Sequence, residues 1–245
     1  MSTQTALTFV ARIPTPIFNT PEIPFNQRPL KKDSQGRLME METIAFPGTK
    51  FRCVKEISER ILQVETAEYH STAPLYVDSR FLQTAPAEAS EREKNLPSID
   101  KILRWMEDRI GLRYFWGGNW EAGIPELLEF YPALKNASPE DRDDAVCRGL
   151  DCSGLLYQAT NGYTPRNTSD LILFGREVPL EQIKPLDLLV WKGHMIVVRS
   201  PTTLIESRMG YGVVVSPFQQ RYLEVSELLK TQNKTLYIRR WYPDS

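Results

Sequence analysis

The spacing of apolar residues changes at Ser98, and that change divides the chain into two kinds of structure. Before it, short apolar runs alternate with polar residues at 7–12, 40–46, 50–55, 60–65 and 75–82. A period of two is the pattern of strands that bury one face. Turn signals such as Pro47-Gly48 separate these runs. The proline-rich stretch 14–29 fits an edge or a long loop, because proline donates no ladder hydrogen bond. Many short strands at close spacing predict a small all-β barrel or sandwich. After Ser98, the residues Ile99, Ile102, Leu103, Met106 and Ile110 recur at steps of three and four. That is one apolar face of a helix, with Gly111 placed to end it.

Between the two patterns, residues 83–97 are polar, charged and rich in Pro and Ala, and they read as a linker or an exposed surface helix. The segment 119–148 is irregular until Ser138-Pro139-Glu140-Asp141, a helix start with Ser as cap and Pro at the first helical position. A second helix is predicted from Cys152 to about Asn161, stopped by Gly162. Strand-like runs follow at 186–191, 195–199, 203–206, 213–216 and 236–241. Helices followed by an antiparallel sheet make an α+β domain. The expected division is 1–90 for the all-β part and 91–245 for the α+β part.

Composition narrows the function classes. The 245 residues carry 30 basic and 31 acidic side chains. The resulting net charge of −1 lacks the basic excess of a nucleic-acid surface. No apolar run approaches the roughly 20 residues of a membrane span. Residues 1–12 lack the basic start and apolar core of a secretory signal, so the expectation is a cytoplasmic protein, or one that leaves the cell by a route the sequence does not mark. Three cysteines and two histidines, with no CxxC pair, supply a zinc site poorly and argue against a disulfide framework. Neither a metal nor another cofactor is expected, and the oligomeric state is not legible.

The scarcity of histidine instead sharpens a search for nucleophile and base. Cys152 sits in Gly149-Leu150-Asp151-Cys152-Ser153-Gly154-Leu155, where a loop meets a helix start. A helix dipole and a nearby imidazolium both favour the reactive thiolate. Small neighbours let a substrate backbone approach, and helix-start N–H groups can hold an oxyanion. Cys53, inside an alternating strand pattern, and Cys147 read as packing residues. His194 follows Gly193 at the first position of a predicted strand and is the candidate base, whereas His70 reads as a loop residue. Glu206, at the end of the next strand, is placed either to orient His194 or to lie on the surface. Asp151 reads as the cap of the catalytic helix, as a carboxylate that favours a substrate ammonium, or as both.

An ordered set of motifs then resembles the NlpC/P60 family of cell-wall cysteine peptidases. A helix leads to Tyr114-Phe115-Trp116-Gly117-Gly118. The Asp151-Cys152-Ser153-Gly154 turn comes next, then Pro165-Arg166-Asn167-Thr168-Ser169-Asp170. Pro185-Leu186-Asp187-Leu188 and Gly193-His194 complete the set. The resemblance implies a papain-like catalytic domain with Cys152 as nucleophile, His194 as base, Glu206 in the third polar position and Tyr114 beside the oxyanion. It also implies a substrate site that includes Asp151, Ser153, Trp116, Thr168 and Ser169. Two features depart from the family's pattern. Roughly thirty residues separate Gly118 from Asp151, an insertion expected to shape the cleft. The third polar position, often histidine, falls on glutamate.

The first half is similar to bacterial SH3-like barrels in its Glu-rich strand leading to Phe46-Pro47-Gly48 and in its closing segment 76–82. Enzymes that join the two modules resemble γ-D-glutamyl-diamino acid endopeptidases. That resemblance implies a peptidoglycan stem peptide or muropeptide as substrate, Asp151 at a free substrate amine, and Tyr69 or Tyr76, with Glu40 as a lesser candidate, lining the same pocket. An N-acetylmuramoyl-L-alanine amidase, a thiol acyltransferase and a non-catalytic wall-peptide binding protein are the rival readings.

Overall fold

The computed structural model describes residues 7–26, 30–139 and 141–243. Residues 1–6 of the segment read for a leader, 27–29 of the proline-rich stretch and position 140 of the expected helix start lie outside them. In chain order the elements begin with β1 (Thr8–Ala11), β2 (Thr15–Phe18), β3 (Met41–Ala45), β4 (Lys50–Glu56), β5 (Ile61–Glu65), β6 (Leu75–Asp78) and β7 (Leu82–Ala85). Helix α1 (Ile99–Glu107) follows, then β8 (Asn119–Trp120), α2 (Leu127–Phe130) and β9 (Gly149–Leu150). The remainder is α3 (Cys152–Ala159), α4 (Thr168–Leu171), β10 (Arg176–Glu177), β11 (Leu188–Trp191), β12 (His194–Ser200), β13 (Thr203–Arg208), β14 (Gly212–Pro217), α5 (Phe218–Thr231) and β15 (Tyr237–Arg240).

The elements gather into two compact units, and neither is a continuous stretch of chain. The first contains 1–93 and 115–149; the second contains 94–114 and 150–245. A single cut at 90/91 therefore does not describe the packing, because 115–149 joins the residues that precede α1.

In the first unit, seven antiparallel strands lie in the order β3-β2-β6-β5-β4-β1-β7. The sheet ends at β3 and β7, so the expected closed barrel is not what forms. Residues 83–85, read as the start of the linker, instead extend the sheet with Leu82 as β7. At the other end the buried Asn119 side chain takes the edge of β3. Its Oδ1 accepts from the Ile44 N–H at 2.8 Å and from the Thr43 hydroxyl at 3.0 Å, and its Nδ2 donates to the Ile44 carbonyl at 2.8 Å. A strand whose edge groups are used this way has none left at that point for another strand. The proline-rich stretch also departs from expectation, since β2 is fully buried and lies between β3 and β6. Pro16 is tolerated there because the ladder to β6 is a single pair, Phe18 with Tyr76.

The segment 115–149 packs into the first unit's core through Phe115, Ile124, Leu127, Tyr131, Leu134, Ala145 and Cys147. The helix expected from Ser138 is instead a turn, closed by the Asp141 N–H on the Ser138 hydroxyl, followed by one 3-10 turn at Asp144–Val146.

In the second unit, α1 buries Ile102 and Met106 completely, each contributing about 1.5–3 kcal/mol. Ile110, expected on the same face, lies past the helix end and is exposed. The sheet runs β10-β15-β11-β12-β13-β14, antiparallel throughout. Asp187 in the Pro185–Leu188 motif locks its middle. The carboxylate accepts from the Lys184 N–H and from two guanidinium nitrogens of Arg240, while Trp241 donates to the Leu186 carbonyl. Helix α5 buries Phe218, Val225 and Leu229 in a cluster with Leu189, Ile196, Val198 and Leu204 of the sheet. No helix among the described residues is long and apolar enough to cross a membrane.

Candidate active site

Cys152 is the first residue of α3, a helix buried on almost every face. Asp151 caps it, accepting from the Gly154 N–H at 2.7 Å. The N–H groups of the first turn have no acceptor within the helix, so with Gly154 capped, those of Cys152 and Ser153 are the helix's remaining donors beside the sulfur. The helix ends where expected: Asn161 and Gly162 adopt left-handed backbone with φ of 52° and 71°.

The chain just before Cys152 is pinned on two sides. The Leu150 N–H donates to the Arg113 carbonyl at 3.2 Å, and the Leu150 carbonyl accepts from the Ser207 hydroxyl at 2.6 Å. Ser207 lies on β13 directly after Glu206. One strand therefore holds both the approach to the nucleophile and the partner of the base.

His194 opens β12 after the Gly193 turn, at a φ of 106° that favours glycine. The Gly193 N–H donates to the Thr168 hydroxyl at 3.2 Å, which ties the turn to α4. The His194 ring lies 5.2 Å from the Trp191 ring, centroid to centroid. Its Nε2 is 2.6 Å from Glu206 Oε2. Cys152 also acts on the ring, and Nδ1 is the nitrogen that Glu206 leaves for it. Burial disfavours the imidazolium, but the Cys152 and Glu206 contacts outweigh it and raise the group to about 9. Glu206 is buried, and burial would push its carboxyl up. Hydrogen bonds from His194 and Arg221 overcome that and hold it below the usual carboxylate range. Arg221 in α5 donates Nε to Oε1 at 2.6 Å and Nη2 to Oε2 at 3.1 Å. This residue has no counterpart in the sequence reading, because α5 was not predicted. Its signal was present: Phe218, Tyr222, Val225 and Leu229 recur at helical spacing behind Pro217.

Asp151 has a second partner besides the helix. Arg166 donates Nη1 to Oδ1 at 3.0 Å and Nη2 to Oδ2 at 2.5 Å, and its Nη1 also reaches the Ser153 hydroxyl at 2.7 Å. The Ser153 hydroxyl in turn donates to Asp151 Oδ1 at 3.3 Å. All three side chains are buried. The arrangement neutralises the Asp151 charge and accounts for three donors on Oδ1. Arg166 was visible in the Pro165-Arg166 motif, but nothing in a sequence pairs it with Asp151.

The other expected site residues are spread over both units. Tyr114 is half-buried at the end of the second unit's first segment, and Thr168 and Ser169 open α4. Tyr69, Tyr76, Trp116 and Glu40 belong to the first unit. The Tyr69 hydroxyl donates to Glu42 at 2.5 Å, Tyr76 pairs with Gln63 and Phe18 across the sheet, and Arg37 lies over the Trp116 ring at 4.9 Å. His70 is exposed in that unit. Cys53 and Cys147 are buried there, and burial pushes the Cys53 thiol up, away from reactivity. Among the described residues no group of three His, Cys, Asp or Glu is arranged to hold a metal ion.

No family model and no curated protein sequence matches the chain. Among solved structures, the chain is similar to NlpC2 from Trichomonas vaginalis, at 12% identity and a TM-score of 0.40 over 98% of this chain and 74% of that one. An NlpC/P60 family protein from Bacillus cereus aligns at 16% identity and a TM-score of 0.43, over 97% of this chain and 63% of its own. The peptidoglycan hydrolase RipB from Mycobacterium tuberculosis aligns at 23% identity and a TM-score of 0.40, over 60% of this chain and 65% of its own.

Proposed function

We propose that this protein is a cysteine hydrolase that cuts an amide bond in peptidoglycan stem peptides, the γ-D-Glu–diaminopimelate bond being the expected target. The observation that carries the proposal is the run of contacts from Cys152 through His194 to Glu206 at the start of a buried helix. The ordered motifs from Tyr114 to His194 support the substrate class by their resemblance to NlpC/P60 peptidases. The SH3-like identity of the first unit belongs to the same proposal and rests on the Phe46-Pro47-Gly48 turn and the 76–82 segment.

In this reading His194 takes the thiol proton and the thiolate adds to the amide carbonyl. The oxyanion forms near the Cys152 N–H at the helix start, with Tyr114 as the proposed second donor. The departing amine takes its proton from His194. Water, deprotonated by the same ring, then releases the acyl group and restores the thiol.

A second reading has its own support. Arg166 already neutralises Asp151, which weakens the case for Asp151 as receptor of a free substrate ammonium. An amidase acting next to the sugar needs no such receptor. One assay separates the two: purified protein with L-Ala-γ-D-Glu-diaminopimelate, its N-acetylated form, and intact sacculi side by side. The endopeptidase reading expects turnover of the free peptide and loss on acetylation; the amidase reading expects release of peptide from sugar. Product formed equally fast by Cys152→Ala would sink both.

A further inference from the structure

The base of the candidate dyad does not stand on one carboxylate contact alone. Glu206 Oε2 accepts from His194 Nε2 at 2.6 Å, and the same carboxylate is gripped at both oxygens by Arg221, through Nε at 2.6 Å and Nη2 at 3.1 Å. Glu206 is 1% exposed and the Arg221 side chain 11%. We propose that Arg221 is a positioning residue for the dyad, fixing the plane of the Glu206 carboxylate so that one oxygen stays aimed at His194.

The physical case starts from the last torsion of glutamate, which is broad and roughly two-fold, so a single contact leaves the carboxylate plane loosely set. A guanidinium presents parallel donors in a rigid plane, and a two-point grip removes that freedom. An aimed oxygen then keeps an N–H on His194 Nε2. This fixes the tautomer and leaves Nδ1 as the nitrogen that faces Cys152. The charged and titratable groups around the pair come from three further elements or positions: His194 from β12, Cys152 from α3 behind it, and Glu224 one helical turn on in α5, which accepts from Arg221 Nη1 at 3.3 Å. Glu224 is largely exposed and holds the outer side of the guanidinium, so the fork itself stays turned to Glu206. Because Arg221 sits on α5 and Glu206 on β13, the helix packing registers the base. Val225 and Leu229, further along the same helix, anchor it in the core.

The inference rests on reading Cys152 and His194 as a reactive dyad but not on the substrate, so it is tested without one. The readout is the rate of Cys152 alkylation by iodoacetamide at neutral pH, with Cys152→Ala as the control that subtracts Cys53 and Cys147. Arg221→Gln is expected to slow alkylation by about ten- to a hundredfold, the usual cost of losing an orienting outer partner. Arg221→Lys keeps the charge without the fork and should recover little of the loss. Combining Arg221→Gln with Glu206→Gln should react within about twofold of Glu206→Gln alone, because one residue acts through the other. An Arg221→Gln protein alkylated at the parent rate, or a double variant in which the two effects multiply, overturns the proposal. Should circular dichroism show Arg221→Gln unfolded, Arg221→Lys carries the same cycle, and a parent rate there is equally decisive. Intact coupling in a protein that turns over no member of the peptide panel would refute the substrate reading and leave this one standing.

Discussion

At the scale of single residues, the candidate site is a set of charges that hold one another in place. His194 is raised to about 9 while the free imidazole titrates near 6.5, so the folded state binds this proton more tightly than the unfolded chain. The stability this contributes is complete below about pH 6.5 and is lost as pH rises through 9. The same proton sets the chemistry. Peptide turnover should decline along a limb centred near pH 9, where the imidazolium that gives the departing amine its proton disappears. Glu206→Gln removes a negative partner of the ring and should move that limb to lower pH; a profile from pH 6 to 10 that does not shift would remove Glu206 from the base's surroundings. Arg166 gives a second residue-scale prediction. Its pairing with Asp151 is buried on both sides, and Arg166→Met leaves a carboxylate with no cation beside it. The expected loss is about 3–5 kcal/mol in urea unfolding, as for other buried pairs broken on one side. These partnerships mark the limit of sequence reading at this scale. Cys152 and His194 stood out because residue type coincided with a helix start and a strand start, while Glu206, at the end of the next strand, read equally as a partner of His194 or as a surface residue. Arg166 and Arg221 were not, because what matters about them is which carboxylate each one meets across the fold.

At the scale of elements, periodicity identified what short-range physics governs. Helices α1 and α3 and the strands β11 to β15 lie close to where apolar spacing put them, since each has a buried face and a turn residue at its end. The misses have particular causes. Strand β2 contains Pro16 and read as an edge or a long loop, yet its one-pair ladder to β6 makes little demand on the missing donor. Helix α5 was overlooked because its polar residues, Gln219, Gln220 and Arg221 among them, outnumber its buried ones. The open edge at β3 depends on Asn119, 75 residues away from Ile44, and nothing local announces it. That contact is testable. Asn119→Ala would strand the Ile44 N–H and C=O inside the first unit, each at about 1–3 kcal/mol. A loss of several kcal/mol in denaturant unfolding is expected, with Cys152 alkylation as the readout that should stay within the range of the parent. A variant as stable as the parent would show that the edge is held by other means. Gly118 is equally constrained, since a Cβ there would lie 2.5 Å from the Gly149 carbonyl oxygen. Gly118→Ala should therefore be destabilising even though the residue's backbone is not left-handed.

At the scale of the whole molecule, the chain passes between its two units three times, at 93/94, 114/115 and 149/150. The motif order along the sequence suggests one catalytic stretch after α1, but 115–149 belongs to the first unit while Cys152 and His194 belong to the second. The cores are distinct in composition: Phe115, Ile124, Leu127, Leu134 and Cys147 pack with residues between Ala11 and Leu82, while the clusters around α3 and α5 contain no residue of 115–149. A fragment 91–245 should consequently expose those side chains, bind a hydrophobic dye and unfold without a sharp transition. The opposite result is expected when 94–114 is joined directly to 150–245. The Arg113 carbonyl accepts from the Leu150 N–H at 3.2 Å, so the two ends to be joined are already neighbours. A linker of about four Gly and Ser residues closes a loop that short at little entropic cost. That shortened chain keeps Cys152, His194, Glu206 and Arg221 on their own elements, and Leu150 keeps its bond from Ser207. It should unfold cooperatively and still show Cys152 alkylation at neutral pH within about twofold of the parent rate. If it is molten while 91–245 is well folded, then 115–149 belongs energetically with the second unit and not with the first.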